Sequence, residues 1–122
     1  MIRTFIEAHH QNANRGDLNA LINDYADQVL FFDKGTVDRA YIYKNEALSR
    51  APFTHMAESI ISPLTVRQYG NNQYFAGYSI AWEAVKKDGR RSNGTSIVNL
   101  VIQTTPNGLK IISHNNGPEQ GE

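Results

Sequence analysis

The chain lacks cysteine altogether, and this absence excludes disulfide bonds, zinc–thiolate sites and thiol catalysis. It also lacks net charge, because its 12 Lys and Arg residues equal its 12 Asp and Glu residues. Without a basic surplus there is no strong field to attract nucleic acid or an anionic membrane. No apolar run approaches the length of a membrane span, and the N-terminus lacks the pattern of a secretory signal. We therefore expect a cytoplasmic protein with no nucleic-acid or membrane partner.

What is present is an ordinary globular composition. Of 122 residues, 40% are hydrophobic and 20% are charged, and a chain of this length buries most of its apolar surface in one core. We expect a single domain over residues 1–115. Residues 116–122 contain no apolar side chain, which predicts a disordered C-terminal tail.

Helical periodicity marks the start of the chain. Residues 2–13 place apolar side chains and His9 on one stripe, which predicts an amphipathic helix. Gly16 ends this helix because glycine tolerates the left-handed cap conformation, and Asp17 caps the next helix. The second helix carries a buried side that runs from Leu18 to Ala26. Two helices joined by so short a link pack against each other or against a common sheet.

A short strand and a third helix follow. Residues 29–33 are apolar and β-prone, and a glycine turn breaks them. Residues 36–44 are ambiguous, with a brief strand at Tyr41–Tyr43 as one interpretation. Asn45 is suited to be an N-cap, so we predict a third helix that starts there and ends between residues 51 and 56.

The period then changes from helical to alternating. Four segments rich in Ile, Val, Thr and aromatic residues are predicted strands: 60–69, 73–86, 95–105 and 109–115. Glycine-containing and asparagine-containing turns connect them, which indicates sequential hairpins and an antiparallel meander. The long central strands are expected to coil rather than stay flat. The sequence therefore predicts an α+β domain in which N-terminal helices close a strongly bent sheet around an interior pocket.

Three motifs carry a resemblance to a known superfamily. They are residues 14–18 (NRGDL) at the first helical turn, residues 25–27 (YAD) before the first strand, and residues 43–47 (YKNEA) entering the third helix. With this order of elements, residues 5–114 resemble the cone-shaped fold of the nuclear transport factor two superfamily, also called SnoaL-like. The resemblance implies three N-terminal helices on a strongly curved mixed or antiparallel sheet, an α+β barrel with an interior ligand pocket. In that superfamily the cone serves isomerases, dehydratases, cyclases, hydrolases and non-catalytic binding proteins.

Ketosteroid isomerases of this superfamily use an Asp base with an oxyanion hole made of a Tyr and a protonated Asp. The resemblance aligns Asp33 with the base, His9 with the tyrosine and Asn99 with the protonated acid. A His and an Asn both donate hydrogen bonds, so an oxyanion site remains chemically possible. The residues differ from the isomerase signature, and steroid isomerisation is not assigned.

The residues themselves leave alternatives open for each of these three positions. Asp33 alternates with Phe31 on an apolar face, where burial would raise its pKa toward neutrality; otherwise it is an exposed acid in the following turn. His9 is a proton carrier for a ligand or a buried histidine with a structural partner. Asn99 lies in an apolar row and needs a hydrogen-bond partner, which is either a ligand or a cross-strand side chain. His10, off the apolar stripe of its helix, is expected to face solvent.

Aromatic residues supply candidate ligand contacts. Tyr78 and Trp82 share one face of a predicted strand, and they line a pocket, fill the core or form a dimer interface. Phe31 and His114 complete the predicted ligand-binding set. No metal site is expected, because no two candidate ligands have the spacing of a metal site on one element.

Two function classes follow. In the first, the domain catalyses cofactor-independent proton transfer of the isomerase, dehydratase or cyclase type on a small apolar or aromatic ligand, with Asp33 as base. In the second, it is a non-catalytic ligand-binding or dimeric interaction domain of the same fold. A curved sheet with an exposed aromatic row would present an apolar patch, so we also expect a homodimer through the open sheet face.

Overall fold

The computed structural model describes residues 1–117 and 120–121. These residues form three helices and eight strands, with six of the strands following the last helix. The helices are α1 (Ile2–Arg15), α2 (Leu18–Asn23) and α3 (Arg39–Arg50). The strands are β1 (Tyr25–Phe31), β2 (Thr36–Asp38), β3 (Phe53–Ile60), β4 (Thr65–Tyr69), β5 (Gln73–Lys86), β6 (Arg91–Thr105), β7 (Gly108–Asn116) and β8 (Gln120–Gly121).

All eight strands belong to one curved mixed sheet. Its path is β2-β1-β7-β6-β5-β3, with β4 also paired to β5 and β8 to β6. The β1–β7 pair is parallel, and every other pair is antiparallel. The predicted α+β class, with helices on a strongly curved sheet, is confirmed.

The turn between α1 and α2 forms as its residues predict. Gly16 has φ 69° and donates its backbone N–H to the carbonyl of Ala13. The Asp17 side chain accepts a hydrogen bond from the backbone N–H of Ala20 at 3.1 Å. Both caps satisfy backbone groups that a helix end would otherwise leave unpaired.

Helix α3 starts earlier than predicted, because its N-cap is Asp38 rather than Asn45. The Asp38 carboxylate accepts from the backbone N–H of Tyr41 at 2.9 Å. Tyr41–Tyr43, interpreted as a brief strand, is therefore helical, and Ile42 is fully buried on the inner side of the helix. Alternating aromatic residues favoured a strand, but the cap and the buried Ile42 decide for the helix.

The sheet differs from its prediction towards both edges. Strand β1 covers Tyr25–Phe31 rather than residues 29–33, so the second helix ends before Ala26, and Thr36–Asp38 forms β2. Residues 53–60, which show no apolar alternation, form strand β3, and the predicted strand 60–69 is reduced to β4. Ser62-Pro63 separates the two, because proline cannot donate to a strand ladder. Strand β5 covers residues 73–86 as predicted. In the predicted tail, Asn116 ends β7 and Gln120–Gly121 pairs with β6, while residues 118, 119 and 122 lie outside the described residues.

The helices pack on one face of the sheet, which settles the orientation of the central strands. Even-numbered residues of β5 and β6 point to the helices, among them Ala76, Tyr78, Ile80, Val98, Leu100 and Ile102. The other row, which includes Phe75 and Asn99, lies on the outer face. No helix among the described residues has the length and apolar character needed to cross a bilayer.

Candidate active site

A chamber of about 160 Å³ lies between the helices and the inner face of the sheet. Its polar lining residues include His9, His10, Tyr25, Glu58, His114 and Asn116. We call this space the inner chamber. Three aromatic rings surround the His9 ring, with centroid distances of 5.5 Å to His10, 5.6 Å to Tyr25 and 6.4 Å to His114.

His9 and Asp24 form a histidine–carboxylate dyad. The imidazole is 4% exposed, and its Nδ1 lies 2.8 Å from Asp24 Oδ2. A carboxylate only accepts hydrogen bonds, so Nδ1 carries the proton and the Nε2 of a neutral imidazole has a free lone pair. Asn12 donates to the same carboxylate at 3.4 Å and holds it in place. The dyad is thus arranged as an oriented general base.

His10 forms a second hydrogen-bonded chain. Its Nδ1 bonds to the Glu58 carboxylate, and its Nε2 lies 2.5 Å from the Tyr78 hydroxyl. Burial acts to raise the pKa of Glu58, but the hydrogen bond to His10 and the nearby positive charges lower it below its usual range. Burial raises the pKa of Tyr78, and the Glu58 charge adds to this, so the hydroxyl stays protonated. The prediction that His10 faces solvent is wrong: it is 6% exposed, because α1 lies against β3 as well as the central strands.

Tyr25 and His114 form a third pair. The Tyr25 hydroxyl lies 2.8 Å from His114 Nδ1. Burial lowers the pKa of His114 to about 3, with a further contribution from repulsion by His9 and His10 when they are protonated, so this imidazole is neutral at pH 7. The nearby Asn116 side chain favours the charged form but does not offset these effects. Burial also raises the pKa of Tyr25 well above its usual range. The tyrosine therefore donates to Nδ1, and the proton of His114 is on Nε2 as a hydrogen-bond donor.

A larger space of about 340 Å³ adjoins the inner chamber. We call it the outer compartment. It shares Ala13, Arg50, Met56, Glu58, Ile80 and Asn116 with the inner chamber and adds Trp82, Phe53 and Ser96. Arg50 lies at the junction, where it donates to the Ala13 carbonyl at 2.9 Å and contacts Glu46 at 3.4 Å. Among the described residues, no group of three His, Asp or Glu side chains is arranged to hold a metal ion.

No family model and no curated protein matches the sequence. Solved structures match over nearly the whole chain. A proposed aromatic ring hydroxylase from Novosphingobium aromaticivorans has a TM-score of 0.86 at 18% identity, over 99% of this chain and 90% of that one. A nuclear transport factor 2 (NTF2-like) superfamily protein from Salmonella enterica has a TM-score of 0.83 at 18% identity, over 95% and 87%. A proposed NTF2-like dehydratase from Streptomyces avermitilis has a TM-score of 0.80 at 16% identity, over 96% and 93%.

The chain has the NTF2-like fold. The superfamily resemblance inferred from the three motifs is confirmed at the level of the fold, and the identities are too low to carry an activity across. The inner chamber and the outer compartment together are the interior of the NTF2-like cone.

Asp33 lies outside this interior, which corrects its predicted position. Strand β1 ends at Phe31, so Asp33 falls in the next turn. Its side chain is 88% exposed and pairs only with Lys34, at 3.7 Å. The alternation that would have placed it on the inner face stops at Phe32, whose backbone has φ 51°. The apolar burial expected to tune this carboxylate is therefore absent.

Asn99 also lies outside the interior. It pairs with Gly77 on the outer face, whereas its neighbours Val98 and Leu100 are buried on the inner face. A shift of one residue along a strand moves a side chain to the opposite face, so the alignment with the isomerase acid does not place Asn99 in the site.

The other predicted residues do come together in the cone. His9, His114 and Trp82 line its interior spaces, and the Tyr78 hydroxyl reaches the inner chamber through His10. Phe31, which is 2% exposed, packs against the rings of Tyr25 and His114, with centroid distances of 6.1 and 6.0 Å. Phe31 therefore supports two of the rings that line the inner chamber.

Sequence reasoning missed several residues of the site. Glu58 was missed because strand β3 lacks the apolar alternation by which a strand is recognised. Asp24 was missed because the second helix was predicted to run to Ala26, whereas α2 ends at Asn23 and Asp24 is its C-cap. Tyr25 itself belongs to the 25–27 motif, which was noted for the fold but not for the site.

Proposed function

We propose that this NTF2-like domain binds a small apolar or aromatic molecule and catalyses cofactor-independent proton transfer on it, with His9 as the base. The observation that carries the proposal is the His9–Asp24 dyad, whose Nδ1···Oδ2 distance is 2.8 Å and whose imidazole lines the inner chamber. An imidazole that a carboxylate holds in one tautomer and orientation suits proton transfer at neutral pH. The role first expected of Asp33 passes to His9.

The step is an enolisation. The lone pair on His9 Nε2 takes a proton from a carbon next to a ligand carbonyl, the C–H electron pair forms a C=C bond, and the carbonyl π electrons move to oxygen. Asp24 stabilises the imidazolium that forms. The same imidazolium returns the proton to the original carbon, to another carbon or to a leaving oxygen. These outcomes are exchange, isomerisation and dehydration.

A hydrogen-bond donor for the developing oxygen is present in the chamber. His114 is neutral, with its proton on Nε2, and the Tyr25 hydroxyl holds this tautomer by donating to Nδ1. A neutral donor stabilises an enolate without placing a charge against the ligand in its ground state. Two similar structures, a proposed dehydratase and a proposed scytalone dehydratase, carry names from this reaction class.

The test is deuterium uptake by 2-tetralone, a neutral bicyclic ketone with an acidic C–H next to its carbonyl. Incubation in deuterated buffer, followed by NMR of that carbon, should show exchange that the wild-type protein accelerates. His9→Gln should lower the accelerated rate by about 100-fold or more, and Asp24→Asn should lower it less, because it leaves the imidazole but loses its orientation.

His55→Gln is the matched control. His55 also pairs with a carboxylate, at 3.0 Å from Glu83, but its side chain is 55% exposed and lies outside the chamber. Its loss should leave exchange unchanged. Equal rates for wild type and His9→Gln would overturn the proposed base.

A non-catalytic binding domain is the second candidate. It is favoured by the fact that Tyr25 and His114 pair with each other, as do His10 and Tyr78, so that a ligand need not satisfy them. Ligand binding without any exchange on 2-tetralone or related ketones would select this alternative. In either case the homodimer and the cytoplasmic location stay predictions.

A further inference from the structure

The walls of the outer compartment are mostly apolar. Phe53, Met56, Ile80 and Ala84 line it together with the indole of Trp82. Its volume of about 340 Å³ is near the lower end of the range for small-molecule sites. A ligand of one or two rings fits such a space, and a longer one would extend into the inner chamber.

Each ionisable group of this compartment already has a hydrogen-bonded or ion-pair partner. Arg50 contacts Glu46 at 3.4 Å, Glu83 contacts His55 at 3.0 Å, and Glu58 bonds to His10. A charged ligand would have to break one of these pairs or leave its own charge unpaired in an apolar space. Both are costly, so the compartment favours a neutral ligand.

Two neutral polar atoms in the same walls have no partner. Trp82 Nε1 and Asn116 Oδ1 are buried and make no hydrogen bond within the part of the chain that the structure describes. The Asn116 side chain does lie near His114, but Oδ1 does not reach hydrogen-bond geometry with it. Leaving a buried donor or acceptor unpaired costs about 1–3 kcal/mol. Binding a group that pairs with them would recover that cost, with a small adjustment of the two side chains.

These two residues line the same compartment from strands on opposite sides of β6. Trp82 on β5 pairs with Gly94 of β6, and Asn116 on β7 pairs with Val98 of β6. Ser96 lies between those two β6 residues on the inner face and also lines the compartment. Trp82 Nε1 is a donor and Asn116 Oδ1 is an acceptor, and the two residues lie on either side of Ser96.

We propose that the outer compartment is a recognition subsite for a neutral hydroxylated aromatic ligand, with Trp82 Nε1 donating to the ligand hydroxyl and Asn116 Oδ1 accepting from it. A hydroxyl is both acceptor and donor, so it matches this pair, whereas a carboxylate cannot donate to Asn116. This subsite specifies the class of ligand for the proposed proton-transfer site. It depends on the proposed function only for the position of the reacting carbon.

Three ligands of matched size test the assignment: tetralin, 5,6,7,8-tetrahydro-2-naphthol and 5,6,7,8-tetrahydro-2-naphthoic acid. They carry no polar group, a neutral hydroxyl and a carboxylate at pH 7. Isothermal titration calorimetry should show that the phenol binds about tenfold tighter than either of the others, the effect of one well-formed hydrogen bond. Trp82 is the only tryptophan of the chain, so a change in its fluorescence should accompany binding.

Trp82→Phe removes the donor and keeps an aromatic ring, while Asn116→Leu removes the acceptor at similar volume. Each should lower the phenol affinity about fivefold or more and leave tetralin affinity unchanged. Tyr69→Phe also removes one polar atom and keeps an aromatic ring, but Tyr69 is exposed on β4 and does not line the compartment, so this control should keep the phenol preference. Circular dichroism and the melting temperature check that each variant is folded.

Equal affinity for the three ligands, tighter binding of the acid, or no binding of any of them overturns the subsite. So does an equal loss of phenol and tetralin affinity in folded variants. Deuterium exchange separates this outcome from the proposed function: a retained phenol preference without exchange on 2-tetralone removes the proton-transfer role and keeps the subsite. Exchange that depends on His9, without a phenol preference, does the reverse.

Discussion

Phe32, which lines the inner chamber, has an unusual backbone conformation. Its φ of 51° is the only positive value among the described residues other than glycine. A bulky side chain in this left-handed region is strained by about 1–2 kcal/mol. The ring is tilted over His114 at 4.8 Å and lines the inner chamber, so the strain accompanies its placement at the site.

The strain at Phe32 predicts that a glycine variant is more stable than an alanine variant, which reverses the usual order. Phe32→Gly and Phe32→Ala both remove the ring, but only glycine adopts this φ without cost, so the glycine variant should be more stable by about 1 kcal/mol. Urea unfolding measures the difference. At Leu30, which is exposed in β1, glycine should be less stable than alanine, as is usual in a strand. Alanine above glycine at both positions would contradict the strain.

His114 predicts a pH dependence of stability. Its pKa falls from about 6.5 in the unfolded chain to about 3 in the folded protein, because of burial and of repulsion from His9 and His10 when they are protonated. Between these values the unfolded state binds a proton that the folded state does not, so the free energy of unfolding should fall as pH decreases from 6.5 toward 3. Above pH 6.5 this group contributes no slope.

Two measurements check this. NMR of the His114 imidazole should show no titration above about pH 4 in the folded protein. His114→Gln should flatten the decline of stability between pH 6.5 and about 4 relative to wild type. A His114 midpoint near 6.5 would mean that the chamber is open to water.

At the scale of elements, helix α1 closes the exposed edge of strand β3. The Asn14 side chain donates to the Glu58 carbonyl and accepts from the Glu58 backbone N–H, each at 2.8 Å. The amide therefore takes the place of a neighbouring strand on a sheet edge, and it fixes the residue whose carboxylate bonds to His10. This contact ties the fold to the site.

Asn14→Asp should lower the free energy of unfolding by about 1–2 kcal/mol, because a carboxylate keeps the acceptor but faces the Glu58 carbonyl without a donor. Urea unfolding at neutral pH is the measurement. Gln11→Glu makes the same change from amide to carboxylate at an exposed position of α1 and controls for the added charge. Similar losses in the two variants would assign the effect to charge rather than to the bridge.

Some strands and contacts could be predicted from the sequence and others could not, for physical reasons. Strand β5 was predicted to the residue because its two faces differ and turn residues bound it. Strand β3 was missed because an edge strand covered by one helix needs no alternation. The inward position of His9 follows from helical periodicity, but its partner Asp24 depends on how α1 sits across the sheet. That long-range packing has no local signal in the chain.

At the scale of the whole molecule, the sheet has one covered face and one open face. The helices pack on the inner face, and the outer face of the two longest strands, 14 and 15 residues, has no described element over it. Phe75, Ala81, Ile97 and Val101 lie there among the small or polar residues Gly77, Ser79 and Asn99. A non-obligate protein interface has this mixed apolar and polar character.

This face predicts a homodimer. A second copy related by a two-fold axis would cover Ile97, whose exposure of 46% is high for the centre of a sheet. Size-exclusion chromatography with light scattering at micromolar concentration should give the mass of a dimer. Ile97→Lys should give a monomer, because two symmetry-related charges would then be buried without partners.

Leu48→Lys is the control for that variant. Leu48 is 65% exposed on α3, on the helical side of the molecule, so a lysine there should leave the dimer intact. Because Trp82, Asn116 and the dyad all lie on the inner side of the same sheet, the Ile97→Lys monomer should still bind the phenol probe. A wild-type monomer would remove the open face as an interface, and loss of binding in a folded monomer would show that the cone needs its partner to hold its shape.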